Sequence, residues 1–346
     1  MGDQKVQKAL FTLMLLGVVL GYALLPKQTY SPLEKRKLAD LPPISGDFPK
    51  EMEQYLSDHL PLRNFFLGVG AYWQLLIGPP GEIYPARGDR LLEAPSEMGK
   101  GLENIDYVNQ FRQQTGLPVD LLLVPSAGFF LEEAIFVPHR SYHDDEILGQ
   151  IWEESQASVV SVKTGDPESF FYRTDHHWTT LGAFSACNDY LRHLGLEPLQ
   201  KSDFLVETIP DFYGSTYCRS RLWLTPPENL EIWRSETQIR VEGAPALFDM
   251  EKAATEDKYA VFLGGNQGMV RLKNQEGMGK ILVLRDSFGS SFAPFLAQRF
   301  ADVVLIDLRY YKYPVRQLLR QEEFDRVLVL YGLNTFTNDG NLVFLR

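Results

Sequence analysis

Ile281-Leu282-Val283-Leu284-Arg285-Asp286-Ser287-Phe288-Gly289-Ser290-Ser291-Phe292 is an apolar run that breaks at a polar triplet and resumes with small and aromatic residues. The run, with Lys280 ahead of it, predicts a strand buried on both faces. The residues from Ser290 to Arg299 predict a helix. The pattern repeats downstream, with a strand from Val303 to Leu308, a helix from Val315 to Glu323 and a strand from Val327 to Tyr331. Alternation of this kind implies a parallel sheet covered on both faces, an α/β fold.

The same rhythm extends upstream. Leu102, Ile105, Val108 and Phe111 share a helical face over 102–114, with Gly116 as the stop, and Val119 to Val124 follows as a buried strand. A helix over 146–155 and a strand over 158–163 come next, then a helix over 180–194 with Thr179 as N-cap and Gly195 as its end. Glu82 to Glu93 reads as a hairpin turning at Arg87-Gly88-Asp89. Residues 200–270 are less periodic, with strand-like pieces such as Tyr259 to Leu263, and read as an insertion or lid within a domain spanning 76–346.

The front of the chain is different. Residues 9–25 are apolar except for Thr12 and follow Lys5 and Lys8. The run is short for a membrane span, which takes about 20 residues. A signal peptide has the same layout, with Gly21-Tyr22-Ala23 as an imperfect cleavage site. Tyr22 and Leu24-Leu25 suit cleavage poorly, so a retained anchor is preferred, and either reading exports the bulk of the chain. Lys27, Lys35, Arg36 and Lys37 outnumber the lysines ahead of the run, against the positive-inside rule. The head, residues 1–8, carries no evident function, so the large domain is still placed outside. Residues 26–75 read as a linker followed by two packing helices. Their apolar positions are Met52, Tyr55, Leu56, Leu60, Phe65, Phe66, Val69 and Trp73, interrupted by Pro61 and stopped by Gly78-Pro79-Pro80-Gly81.

The chain has 346 residues, enough to bury a full core, and a net charge of −11 that argues against nucleic acid as a partner. It shows no internal repeat or low-complexity tract. Its two cysteines, Cys187 and Cys218, suit an oxidising compartment. A bond between them would close a loop of about 30 residues and add ~3 kcal/mol. Cys187 also falls on the apolar face of a helix, where a buried thiol fits equally.

Chemistry concentrates in two places. Ser287 ends a buried strand at the carboxyl edge of the sheet, where α/β folds place ligands, and opens a helix whose N–H groups can stabilise an oxyanion. A serine there is also an ordinary N-cap, and the strand–helix pattern alone favours the cap. The second place is Tyr172-Arg173-Thr174-Asp175-His176-His177-Trp178-Thr179-Thr180. In an extended backbone Asp175 and His177 share a face while His176 points to the other. The carboxylate then holds one imidazole nitrogen and leaves the other to take a proton. Asn334, just past the strand 327–331, is a turn residue or an amide aimed at the Ser287 edge. Arg309 either meets an anionic substrate or pairs with Asp307 or Asp302.

Thr174-Asp175-His176-His177-Trp178-Thr179 resembles the signature of the bacterial DHHW family, related to the SGNH-hydrolase-like proteins that O-acetylate alginate and other exopolysaccharides. The likeness takes in Leu56 to Gly81, the strand 119–124, Arg285-Asp286-Ser287-Phe288 and Asp307-Leu308-Arg309-Tyr310. It implies an SGNH-like three-layer α/β/α fold with a mainly parallel sheet. It makes Ser287 the nucleophile, His177 the general base and Asp175 its orienting residue, with the Ser287 N–H as an oxyanion donor. Asn334, Arg309, His176 and Trp178 become oxyanion or substrate contacts. Three departures stand out: Arg285 replaces the usual glycine, Thr335 replaces the acid expected after Asn334, and the Asp-His pair precedes the serine.

The leading expectation is therefore an extracytoplasmic serine acyltransferase or acylesterase acting on O-acetyl groups of a polysaccharide, with no cofactor. By resemblance, a membrane-bound acyltransferase is the donor partner. Trp178 and Trp223 could stack on sugar rings, although tryptophan is more often core. The alternative is a membrane-anchored glycan-binding or scaffold protein that keeps the fold. A third reading builds a metal site on His176 and His177, or on His139 and His143 beside Asp144-Asp145. Pro138 favours a loop there, and too few ligands gather, so no metal is expected.

Overall fold

The computed structural model describes residues 2–31, 36–44, 46–78 and 81–345. They form two compact units, Met1–Pro79 with Cys218–Leu224, and Pro80–Tyr217 with Thr225–Arg346.

In the first unit, helix α1 spans Gly2–Leu24. Its portion Gln4–Leu24 is apolar and long enough to cross a membrane, with mean hydropathy 1.6 and none of it buried. Helices α2 (Phe48–Asp58) and α3 (Arg63–Ile77) follow. The segment before them is tied down: Arg36 forks onto Asp58 at 2.9 and 2.6 Å, and the Ala39 N–H donates to the same carboxylate at 2.9 Å. Lys35 and the rest of 32–35, Ser45, and Pro79-Pro80 of the Gly78–Gly81 stop lie outside the described residues. The packing-helix reading needs correction. Leu56, Phe65, Phe66, Val69 and Trp73 are exposed, so these helices bury a narrower face than their composition implies.

The second unit opens with the hairpin β1 (Ile83–Ala86) and β2 (Arg90–Glu93). Arg87, Gly88 and Asp89 form the three-residue turn between them, and Gly88 and Asp89 both take positive φ, 74° and 56°. The main sheet contains β3 (Val119–Val124), β4 (Ser158–Val159), β7 (Ile239–Glu242), β8 (Met269–Asn274), β9 (Lys280–Arg285), β10 (Asp302–Ile306) and β11 (Arg326–Gly332). The separate pair β5 (Leu205–Phe212) and β6 (Glu228–Arg234) is antiparallel. The sheet order is β4-β3-β11-β9-β10-β8-β7, parallel from β4 to β10 and antiparallel at β8 and β7. Residues 200–270 thus supply one strand of the main sheet, β7, and the first two residues of β8. Tyr259 is not in a strand but in the short 3-10 turn Lys258–Val261.

Alternate residues of the sheet enter opposite cores, as strand geometry requires. Leu122, Val283, Leu305 and Leu330 face one core with helices α6 (Thr180–His193) and α7 (Phe288–Leu296). Leu121, Leu282, Val304 and Val329 face the other, with α4 (Gly101–Thr115) and α5 (Asp144–Glu154). Helices α8 (Val315–Gln321) and α9 (Leu333–Asn338) pack on that second side as well. The result is an α/β/α sandwich. Thr179 caps α6 by accepting the Gly182 N–H at 3.1 Å, a contact worth about 1 kcal/mol. Cys187 is a fully buried thiol on the same helix, in no disulfide.

Candidate active site

The segment Phe171–Trp178 is not extended. Phe171 and Trp178 form an isolated antiparallel bridge, and the Tyr172 N–H donates to the His177 carbonyl at 3.2 Å. The residues between them bend. The loop is held from outside by the Glu228 carboxylate on β6, which accepts the N–H groups of Arg173 and Thr174 at 2.9 and 2.6 Å and the Thr174 hydroxyl at 2.5 Å. From β2, the Leu91 N–H donates to the Arg173 carbonyl at 2.8 Å. The buried Arg90 guanidinium donates to the carbonyls of Phe171 and Glu168.

Within this bend Asp175 Oδ1 accepts both the His177 N–H at 3.0 Å and His177 Nδ1 at 2.5 Å. Asp175 Oδ2 accepts the Ser215 N–H at 2.6 Å. The proximity expected of Asp175 and His177 is present, but a turn creates it rather than strand alternation. Consequently His176 does not face away. Its ring lies 3.8 Å from that of His177, and its Nδ1 meets Ser215 Oγ at 2.6 Å.

Strand β9 delivers the serine. Ser287 precedes α7 in a helical conformation (φ −67°, ψ −18°), and its side chain caps nothing. Instead its Oγ lies 2.7 Å from His177 Nε2. The capping is done by Asp286, whose Oδ1 accepts the Phe288 N–H at 2.9 Å and Oδ2 the Gly332 N–H at 3.0 Å. That buried carboxylate links the ends of β9 and β11 and sets the turn on which Ser287 stands. Sequence reading passed over it because Asp286 looks like an ordinary turn residue.

A wall of aromatic rings surrounds the imidazole. Tyr259 lies parallel to it, and Phe288 packs at 4.9 Å. The Tyr259 hydroxyl meets Ser291 Oγ at 3.0 Å, and Trp178 Nε1 donates to the same oxygen at 2.9 Å. Burial, followed by the neighbouring His176, pushes the His177 pKa down to about 4, against the pull of Asp175. Burial raises the Asp175 carboxyl, but the two histidines and the Ser215 N–H outweigh it and hold the group well below the usual carboxylate range. At neutral pH the pair is thus a carboxylate beside a neutral imidazole.

Several expected contacts fall elsewhere. Trp178 is fully buried, with its N–H used by Ser291, so it is a core residue and cannot face a substrate. Arg309 forks onto Asp307 at 2.9 and 2.7 Å, the pairing alternative. Asn334 accepts from Asn338 Nδ2 at 2.8 Å and donates toward Glu93 Oε2 at 3.4 Å. Trp223 belongs to the first unit, stacked on Phe65. Arg285, in the place of the usual glycine, is completely buried and donates to Ser290 Oγ at 3.0 Å. Among the described residues, Asp175, His176 and His177 are the one group of potential metal ligands within 4.8 Å of one another, and His139 and His143 join no such group. Both His177 nitrogens and both Asp175 oxygens are already engaged in the bonds above, which leaves His176 Nε2 for a ligand.

Residues 160–306 match the family model described as DHHW protein. Over that stretch, which is less than half of the chain, the sequence is similar to the DHHW family. The match contains both the Asp175–Trp178 loop that gives the family its name and the Ser287 turn. A DHHW family protein from Eubacterium siraeum is similar in structure at 20% identity, over 74% of this chain and 94% of its own, with a TM-score of 0.64. PatB1 from Bacillus cereus is similar at 18% identity, over 77% of this chain and 99% of its own, with a TM-score of 0.62. Its form with a sulfonyl adduct gives 0.61. At these identities the likeness is one of fold, a mostly parallel α/β sheet. No curated protein matches the chain by sequence.

Proposed function

We propose that this protein is a serine acyltransferase or acylesterase acting on O-acetyl groups of a polysaccharide outside the membrane. The observation that carries the reading is the hydrogen-bonded line Asp175–His177–Ser287, with contacts of 2.5 and 2.7 Å. A nucleophile within reach of a neutral imidazole, itself oriented by a buried carboxylate, is the arrangement acyl transfer requires.

In this reading Ser287 Oγ bonds to the acyl carbonyl carbon as its proton passes to His177 Nε2. The carbonyl becomes an oxyanion facing the N-terminus of α7, where the Ser287 N–H is the first donor. Collapse breaks the bond to the leaving oxygen, which takes the proton from His177 and leaves an acyl-serine. A sugar hydroxyl or water then repeats the sequence from the acceptor side. Asp175 stabilises the imidazolium formed in each half. The residues call for no cofactor. PatB1, which shares the fold, is recorded with a sulfonyl adduct, and a sulfonyl group is one that an activated hydroxyl accepts. The apolar helix α1 fits anchorage beside a membrane-bound acyl donor.

The test is intact mass of the full chain in detergent after incubation with p-nitrophenyl acetate, beside Ser287→Ala and His177→Ala. An acetyl adduct in the parent that is absent from Ser287→Ala supports the reading. A folded parent with neither adduct nor p-nitrophenol release refutes it in favour of a glycan-binding scaffold.

A further inference from the structure

Helix α3 has two unlike faces. On one, Gly68 is buried against Trp223, whose ring fills the space a Cβ would take, and the Tyr72 hydroxyl accepts the Leu224 N–H at 2.9 Å. On the other, Phe66, Val69, Trp73, Leu76 and Ile77 recur at helical spacing and stand in the open. Trp73 is 61% exposed, Leu76 78% and Ile77 67%. The helix carries no acidic residue and one basic one, Arg63. A continuous apolar stripe of this kind in water marks an interaction surface.

The position of α1 within the same unit says what covers it. A Cβ at Gly21 would overlap the Pro61 ring in the α2–α3 turn, so that ring packs directly on the Gly21 backbone. The Tyr22 hydroxyl donates to the Leu56 carbonyl, and Lys27 Nζ lies 4.8 Å over the Tyr22 ring. The start of α3 is thereby held at the end of the apolar helix, where a spanning segment leaves the hydrocarbon. A cavity of about 350 Å³ opens there, lined among others by Leu25, Lys27, Leu60, Arg63 and Phe65. Lys27 beside apolar walls, with Asp58 already forked by Arg36, matches the boundary between phospholipid headgroup and acyl chain.

We infer that α3 is a second, non-spanning membrane contact, laid against phospholipid through Phe66, Val69, Trp73, Leu76 and Ile77. Aromatic and aliphatic side chains on one face of a helix short of acidic groups are what an interfacial helix needs. The inference is independent of Ser287 chemistry but rests on α1 being the span.

The experiment uses the full chain in nanodiscs of phosphatidylcholine and phosphatidylglycerol, with acyl chains either natural or brominated near the glycerol. Bromine should quench the tryptophan fluorescence of the parent. Trp73→Phe should remove at least half of that quenching, and adding Phe66→Trp to it should bring quenching back. Thermal transitions of the variants should match the parent. Equal quenching of parent and Trp73→Phe in a chain that co-elutes with nanodiscs would overturn the inference and leave α1 as the span. That result would mean protein, including a second copy, covers the stripe. Failure to co-elute would remove the premise and the inference together.

Discussion

The imidazole of His177 lies flat against the phenol ring of Tyr259, with centroids 4.0 Å apart and planes 6° from parallel. Asp175 and Ser287 fix the ring along its edge, and Tyr259 fixes its tilt. Tyr259→Leu is expected to lower ester turnover by about 10–100-fold, since a misplaced base is penalised steeply. Tyr259→Phe keeps the stack and should retain most turnover while losing roughly 1 kcal/mol of stability with the Ser291 hydrogen bond. Turnover and urea unfolding of both variants check this.

Acid should act through His177. Its pKa is depressed to about 4 in the fold, below the ordinary 6.5. Between those values the unfolded chain binds a proton that the folded chain refuses. Stability is therefore full above about pH 6.5 and falls progressively toward pH 4, by up to roughly 3 kcal/mol. His177→Gln should flatten that part of the urea-midpoint profile. The acid limb of kcat/KM should likewise lie near pH 4, not near 6.5.

Ser287 and Asp286 should separate chemistry from architecture. Because Ser287 Oγ caps no N–H and its partner is His177 Nε2, Ser287→Ala should abolish acyl transfer with a stability loss of only about 1 kcal/mol. Asp286→Ala strands two buried N–H groups, those of Phe288 and Gly332, and should cost about 2–4 kcal/mol. Denaturant titrations beside activity assays distinguish the two.

Glu228→Ala should loosen the Asp175–His177 loop from a distance. The loop then loses the acceptor of three hydrogen bonds. Hydrogen exchange at Arg173 and Thr174 should accelerate, and kcat should fall more than KM rises.

The stretch around Ser287 was legible because two-sided burial leaves a continuous apolar run, and the parallel sheet follows from that run and its neighbours. The pairing of Asp175 with His177 was legible from spacing, but not its geometry. The bend depends on Glu228, 54 or 55 residues further along the chain, and no local pattern reports a partner at that distance. Tyr259 was hidden for the same reason, lying in short irregular elements that carry no period. Trp178 beside two histidines suggested a platform, and Ser291 in α7 decides otherwise. Arg309 could be read either way until the fork onto Asp307 was seen.

Strand β11 lies between β3 and β9, although it is the last sheet strand in chain order. Before it arrives, β9 has no neighbour on that side, and Asp286 lacks the Gly332 N–H that anchors one of its oxygens. Closing of the sheet at Gly332 is thus what ties down the second oxygen of Asp286, so the turn that carries Ser287 is braced by the strand that reaches the sheet last along the chain.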